Sequence, residues 1–181
     1  MKGRPSINGN RSTGNHRQPQ NLTTGASHSA TKNIIAMNEA LLNRIGSFLD
    51  KNPTLKGTPA TAAQLAKAEQ ELDIKLDKDY RAFVERFGGA YAGIAIHAFN
   101  NGASVGNETI IDLTLNGRRL FNDAEMFPEI NESMVFADDG AGNPVAITPE
   151  GKVVLFDYDT EEKQVLASSF EEFVENNFSE W

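Results

Sequence analysis

The sequence predicts an α+β domain with N-terminal helices, a central antiparallel sheet of five or six strands, and a C-terminal helix. Two observations predict this order. Apolar residues recur at helical spacing up to Gly89, and after it they alternate with a period of two in short stretches separated by turns rich in Asp, Gly and Asn. Helices grouped at the ends of a contiguous antiparallel sheet are typical of α+β folds and not of alternating βαβ units. A chain of 181 residues, 39% of them hydrophobic, is sufficient for one such domain.

The chain consists of two segments that differ in composition. Residues 1–33 are rich in Asn, Gly, Ser, Thr, Gln and Pro and have few large apolar side chains, so we predict a disordered basic tail there and a folded domain over 34–181. The tail has five basic residues and no acid, which leaves 12 basic and 25 acidic residues, a net charge of −13, in the domain. A linker, a leader and an upstream extension all fit the tail. A transit peptide is disfavoured because the tail has no apolar face.

Three helices are predicted before Gly89. Apolar residues from Ile34 to Leu49 share one face, and a second helix begins at Thr61, which with Gln64 forms a capping-box pattern. A third helix is capped by Asp77 and ends at Gly88-Gly89.

The middle of the chain is predicted as two strands and a possible short helix. Residues 94–98 alternate, and a Gly/Asn loop over 100–107 leads to a second strand over 109–115 that closes at the turn pair Asn116-Gly117. Residues 118–131 remain ambiguous, and a short helix broken by Pro128 is one alternative.

The last third is predicted as an antiparallel meander followed by a helix. Strands are expected over 134–137, 144–148, 153–158 and 164–167, because turn sequences separate these apolar runs. Ser169 with Glu172 is a second capping-box pattern and begins the final helix.

The residues that most resemble a reactive site are carboxylates in the turns of this meander, at positions 138, 139, 157, 159, 161 and 162. They do not match a calcium loop, because Ser168 stands where the closing Glu would be needed, and turns alone favour Asp, Gly and Asn. His97 is the only histidine after the tail, and we interpret it as a strand residue at the surface or the core edge, not a catalytic base. We therefore predict no catalytic residue, no metal site and no cofactor.

Charge and hydropathy narrow the possible partners. An acidic domain repels nucleic-acid phosphates, so basic partners are favoured and nucleic acid is not. The sequence has no cysteine and no apolar run long enough to span a membrane, which favours a cytoplasmic protein without membrane contact.

Three stretches resemble the SUKH superfamily, the Smi/Knr-type domain of fungal cell-wall regulators and many bacterial toxin-immunity proteins. The first stretch is a helix, a polar connector and a helix with a DY..F pattern, the second contains the ADDG and GNP turn sequences, and the third contains the closing strand and helix. They lie at Ala68–Gly89, Phe136–Asp159 and Leu166–Phe173.

The resemblance implies a non-enzymatic α+β domain that binds and neutralises a cognate toxin, which is expected to be a basic nuclease or another enzyme toxin. A regulatory or scaffold module of the cell-wall-regulator kind is the alternative, and the oligomeric state stays open. Acidic turns and the Gly/Asn loop are the expected partner contacts, and the residues are Asp138, Asp139, Asp157, Asp159, Asn100 and Asn101.

Overall fold

The computed structural model describes residues 36–179, and the predicted tail over 1–33 lies outside them. The first helix, α1 (Glu39–Lys51), begins at Asn38, whose side chain accepts hydrogen bonds from the backbone N–H groups of Ala40 and Leu41. The predicted apolar face is confirmed, because its residues Leu41, Leu42, Ile45, Phe48 and Leu49 are all buried. Ile34 and Ile35, which the prediction also placed on this face, fall outside the described residues.

Two further helices begin and end as their local chemistry predicts. Helix α2 (Ala62–Leu72) begins with the capping box between Thr61 and Gln64, and α3 (Lys78–Phe87) is capped by the Asp77 carboxylate. Helix α3 ends at Gly88, where φ is 66° and an added Cβ would lie 2.2 Å from the carbonyl oxygen of Thr58. Only glycine fits there, because the backbone conformation and the space both exclude a side chain.

The strand predicted over 94–98 is shorter than expected and does not join the main sheet. Strands β1 (Ala90–Tyr91) and β2 (Ala95–Ile96) form a separate two-stranded antiparallel ribbon. The single central sheet of five or six strands is therefore wrong in detail, because the six strands found within residues 36–179 form one sheet of two and one of four.

The strand predicted over 109–115 is wrong, because this segment begins helix α4 (Ile110–Asp123). Thr109 and Asp112 form a capping box that starts it, and its buried residues Ile110, Thr114, Gly117 and Phe121 recur at helical spacing. The predicted turn at Asn116-Gly117 lies inside the helix. Gly117 packs closely against β3 there, since an added Cβ would lie 3.2 Å from Cγ2 of Val135 and that side chain would have to shift by a few tenths of an ångström.

The helix suggested within residues 118–131 is the second half of α4, which ends before Pro128. That proline begins a short 3-10 helix, Pro128–Glu132.

The predicted meander is confirmed. Its strands pair in sequential antiparallel order, as β3 (Met134–Asp138), β4 (Pro144–Ile147), β5 (Val153–Asp157) and β6 (Glu162–Ala167). Helix α5 (Phe170–Asn177) follows, with Ser169 accepting from the N–H of Glu172 as predicted.

The four-stranded sheet is packed on both faces. One face contributes Phe136, Val145 and Val153 to the larger core with α1, α2, α3 and α5. The other face contributes Val135, Ala146, Val154 and Phe156 to a smaller core with Phe121 of α4. Burying both faces explains why nearly every residue of β3 and β4 is apolar instead of alternating with polar ones. The α+β class is confirmed, and no helix among residues 36–179 is long and apolar enough to cross a membrane.

Candidate functional site: an acidic end of the sheet and its groove

Two turns meet at one end of the four-stranded sheet, and Asn143 joins them. Its backbone N–H and side-chain Nδ2 donate to the two carboxylate oxygens of Asp139, at 3.0 and 2.9 Å, while its Oδ1 accepts from the N–H of Tyr158 at 3.1 Å. The β3–β4 and β5–β6 turns therefore lie side by side. We call their carboxylates the acidic end, and these are Asp138, Asp139, Asp157, Asp159, Glu161 and Glu162.

The turn carboxylates also shape the turns they occupy. Asp138 Oδ1 accepts from the N–H of Gly140 at 2.7 Å, and Asp157 Oδ1 accepts from the N–H groups of Asp159 and Thr160 at 3.0 and 2.9 Å. This is the structural reason for Asp at these positions, as the turn sequences suggested. Their role in binding a partner stays a prediction.

These carboxylates carry their charge into solvent. Hydrogen bonds from Asn143, and then from the N–H of Ala141, hold the pKa of Asp139 below its ordinary value, although slight burial opposes them. No residue of the acidic end forms an ion pair with a lysine or arginine of residues 36–179. The acidic end is thus a surface of uncompensated negative charge. Within the same residues, no group of three or more His, Asp or Glu side chains is arranged to hold a metal ion.

A groove of about 380 Å³ lies beside the acidic end, between α4 and the β3–β4 hairpin. Its apolar lining includes Leu120, which is 39% exposed, and Pro144, while the carboxylate-bearing residues Glu108 and Asp138 also line it. Arg119 contributes one positive charge to the same lining. We call this the α4 groove. It combines apolar surface with two carboxylates that have no ion-pair partner in the described part of the chain.

Asn100 and Asn101, the other predicted partner contacts, do not belong to the acidic end and form hydrogen bonds within and next to their own loop. The carbonyl oxygen of Asn100 accepts from the N–H groups of Thr58 and Gly89, both at 3.2 Å. The Asn101 side chain accepts from the N–H of Ala98 at 2.8 Å and donates to the carbonyls of Gly106 and Glu108 at 2.9 and 2.8 Å. Asn101 therefore holds the loop in shape. The loop reaches the α4 groove through Glu108, which the sequence analysis did not single out.

His97, predicted as a strand residue at the surface or the core edge, directly follows strand β2 and is buried. It is 5% exposed, and its Nδ1 lies 2.7 Å from the carbonyl oxygen of Glu108. Because a carbonyl can only accept, Nδ1 carries the proton in this contact. The His97 carbonyl accepts from the buried hydroxyl of Tyr80 at 2.7 Å, and burial raises the pKa of that hydroxyl. These contacts join α3, the residue that follows β2 and the loop that leads into α4.

A second polar site lies at the opposite end of the sheet. It is a cavity of about 560 Å³, and Arg118 is one of its lining residues. Its guanidinium donates to the carbonyl oxygens of Leu72 and Ser133 at 2.9 and 3.4 Å, and so ties α4 to the end of α2 and to the start of β3. Burial lowers the pKa of Arg118, and the charge of Asp73 opposes this. The sequence analysis did not identify Arg118, Leu120 or the groove as site features, because it predicted a strand over 109–115 where the structure has the start of helix α4. The Thr109/Asp112 capping box was the signal that could have found them.

Residues 59–176 match the model of the SMI1 / KNR4 family (SUKH-1). The chain belongs to this family. The match runs from the start of α2 to the end of α5, so it contains the acidic end, the α4 groove and Arg118. The SUKH resemblance drawn from the three sequence stretches is thereby confirmed. A comparison with curated proteins finds no match for this SUKH-1 chain.

Proposed function

We propose that this SUKH-1 protein is a non-enzymatic, cytoplasmic immunity protein of bacterial type, which binds a cognate toxin domain with a basic surface and neutralises it. Membership of the family supports binding of a protein partner. The acidic end is the observation that supports a basic partner surface. Its two linked turns present six carboxylates, and none of them forms an ion pair with residues 36–179.

The α4 groove gives this surface a specific contact. A lysine or arginine side chain has an apolar stem and a charged head, so its stem fits against Leu120 and Pro144 while its head reaches Glu108 or Asp138. Tyr158 adds an aromatic side chain beside the same turns. It is 41% exposed, and its ring centroid lies 5.8 Å from that of Phe121. Aromatic residues surrounded by polar ones are common where protein partners bind tightly.

Electrostatic attraction supports the same partner. The domain after residue 33 has a net charge of −13, and opposite charge on a partner speeds encounter and disfavours wrong partners. Nuclease toxins are a fitting class, because an enzyme that binds nucleic acid needs a basic surface. A carboxylate surface that covers this region competes with the nucleic acid directly.

The test is affinity capture from a lysate of the source organism with the full chain as bait, at several salt concentrations, with bound proteins identified by mass spectrometry. We expect one basic protein in stoichiometric amount, bound less tightly as salt rises. The purified partner is then assayed for enzymatic activity or toxicity, which the chain must inhibit. Several partners without such activity would favour the regulatory or scaffold role instead.

Isosteric substitutions locate the contact. The triple variant Asp138→Asn, Asp157→Asn and Asp159→Asn keeps the side-chain oxygens that shape the turns and removes three charges. We expect about a tenfold or greater loss of affinity for the partner. The control removes three carboxylates that lie on helices away from the acidic end, by Asp50→Asn, Glu71→Gln and Glu85→Gln. Equal losses in both triple variants would mean that net charge alone, and not the acidic end, attracts the partner.

A further inference from the structure

The two edges of the four-stranded sheet differ in how their backbone is covered. At the β3 edge, the Thr114 hydroxyl of α4 accepts from the N–H of Val135 at 3.0 Å and donates to its carbonyl at 3.3 Å. The next carbonyl, that of Phe136, accepts from the N–H of His97 at 2.8 Å. A side chain and a neighbouring segment thus close this edge against another strand.

The β6 edge is open. Strand β6 pairs with β5, and no other hydrogen bond from residues 36–179 reaches its main chain. Its register is regular from Glu162 to Val165, and the irregularity lies at the far end, beside Ala167. An edge strand leaves every second N–H and C=O pair unpaired, and such a row is a template for another strand.

The surface beside this edge has an apolar part. Val165 is 58% exposed, the largest exposure of any large apolar side chain among the described residues. It lines a cavity of about 270 Å³ together with Val154 and Phe156. Because side chains of a strand alternate between faces, a strand added to β6 would place every second side chain over this cavity.

The start of the edge has strong negative charge. Glu162 begins β6, Asp159 and Glu161 lie in the turn before it, and Asp157 ends β5. Lys163 is the one cation of the strand, and it is paired with Glu129 of the 3-10 helix. The edge therefore suits a segment that has apolar residues along the strand and basic residues at the end next to Glu161.

We propose that the β6 edge takes an extended basic segment of the partner protein as a fifth strand, with an apolar side chain against Val165 and lysines or arginines beside Glu161 and Glu162. This inference rests on the proposed function and adds the mode of binding. Main-chain hydrogen bonds supply affinity in such strand addition, and the alternate side chains supply specificity. The acidic turns and the edge then form one continuous surface, since the β5–β6 turn belongs to both.

The experiment uses the full chain and a capped peptide of three threonine–valine repeats followed by three lysines. Backbone amide exchange is followed by NMR with and without the peptide. We expect alternate amides of Glu162–Ala167 to exchange about tenfold more slowly in its presence, because an added strand protects only the outward N–H groups. The same peptide with N-methylated valines keeps its charge but cannot donate those hydrogen bonds, and it should leave the exchange unchanged.

A variant pair checks the side-chain contact. Val165→Lys replaces the exposed apolar side chain by a positive charge, which repels the lysines of the peptide, and should weaken peptide binding about tenfold. Leu115→Lys makes the same change at a residue of α4 that is 47% exposed, and it should bind like the unchanged chain. Circular dichroism confirms that both variants fold.

Three results overturn strand addition. These are equal binding of the N-methylated peptide, protection outside β6, and a dimer whose β6 amides are already protected without peptide, which would assign the edge to a second copy. A captured partner that depends on Asp138, Asp157 and Asp159 but leaves β6 exchange unchanged would retain the proposed function and refute this inference alone.

Discussion

The two ends of the four-stranded sheet use charged residues in opposite ways. At the acidic end, carboxylates accept hydrogen bonds from the N–H groups of their own turns, and they remain in contact with solvent. At the other end, Arg118 is partly buried and donates to carbonyls of α2 and of the residue before β3. One end keeps its charge in contact with solvent, while the other uses its charge to join layers of the fold.

This difference follows from desolvation. Replacing a solvent-exposed charge by a neutral group of the same shape changes the free energy of unfolding little. Burying a charge costs free energy, and removing a buried charge leaves its hydrogen-bond partners unsatisfied, which lowers stability more. We therefore expect stability to depend most on Arg118 and partner binding to depend most on the acidic end. Four measurements test this contrast.

The largest effect on stability is expected from Arg118→Met. Methionine retains much of the apolar stem but leaves the carbonyls of Leu72 and Ser133 without their donor, so the free energy of unfolding should fall by about 2–3 kcal/mol. Urea denaturation measures it. Arg119→Met is the matched control on the adjacent, exposed residue, and it should change stability by less than about 0.5 kcal/mol. Equal effects would remove the distinction between the partly buried and the exposed arginine.

A smaller loss is expected from Asp139→Ala. The N–H groups of Ala141 and Asn143 and the Asn143 amide all lose their acceptor, and similar losses at exposed caps cost about 1 kcal/mol. Asp139→Asn keeps one acceptor oxygen and should lose about half as much. If alanine and asparagine destabilise equally, the charge and not the hydrogen bonds supports the turn.

The third measurement is the pH dependence of the Asp139 contribution. The pKa of Asp139 is lower in the folded chain than its ordinary value of 3.8, so in acid the unfolded chain takes up this proton first. Its contribution is complete above about pH 4 and is lost as pH falls through the lower, folded pKa. The stability difference between the unchanged chain and Asp139→Asn should shrink on acidification through this range. A difference that stays constant would contradict the lowered pKa.

The smallest effect on stability is expected from Asp159→Asn. No hydrogen bond of the described residues uses its carboxylate, so thermal unfolding should show a change of less than about 0.5 kcal/mol. Partner binding should still weaken, because a charge of the acidic end is lost. A variant that loses stability and leaves binding unchanged would reverse the roles assigned to the two ends.

The sequence predicted elements well where local chemistry decides them. Thr61 with Gln64, Asp77 and Ser169 each begin a helix as predicted, and the turn sequences after Asp138 and Asp157 separate the strands of the meander. Each of these signals acts within a few residues. It therefore does not depend on which distant segments pack against the element.

The prediction failed over α4 because two readings of the same residues compete. Residues 109–115 contain apolar and polar side chains that fit a period of two as well as a helix, and Asn116-Gly117 is a common hairpin turn. The capping box at Thr109 and the close approach of Gly117 to Val135 favour the helix. The second of these is a contact between residues 18 positions apart, which periodicity cannot reveal.

By itself, the sequence determined the α+β class, the caps of α2, α3 and α5, the four strands of the meander, the acidic charge and the family motifs. All of these depend on composition or on neighbours in the chain. Only the tertiary structure decided that Asn143 joins the two acidic turns, that Thr114 closes one edge of the sheet while β6 stays open, and that Arg118 is partly buried. These depend on which distant segments pack together, and packing is set by burial over the whole core and not by the preferences of any one segment.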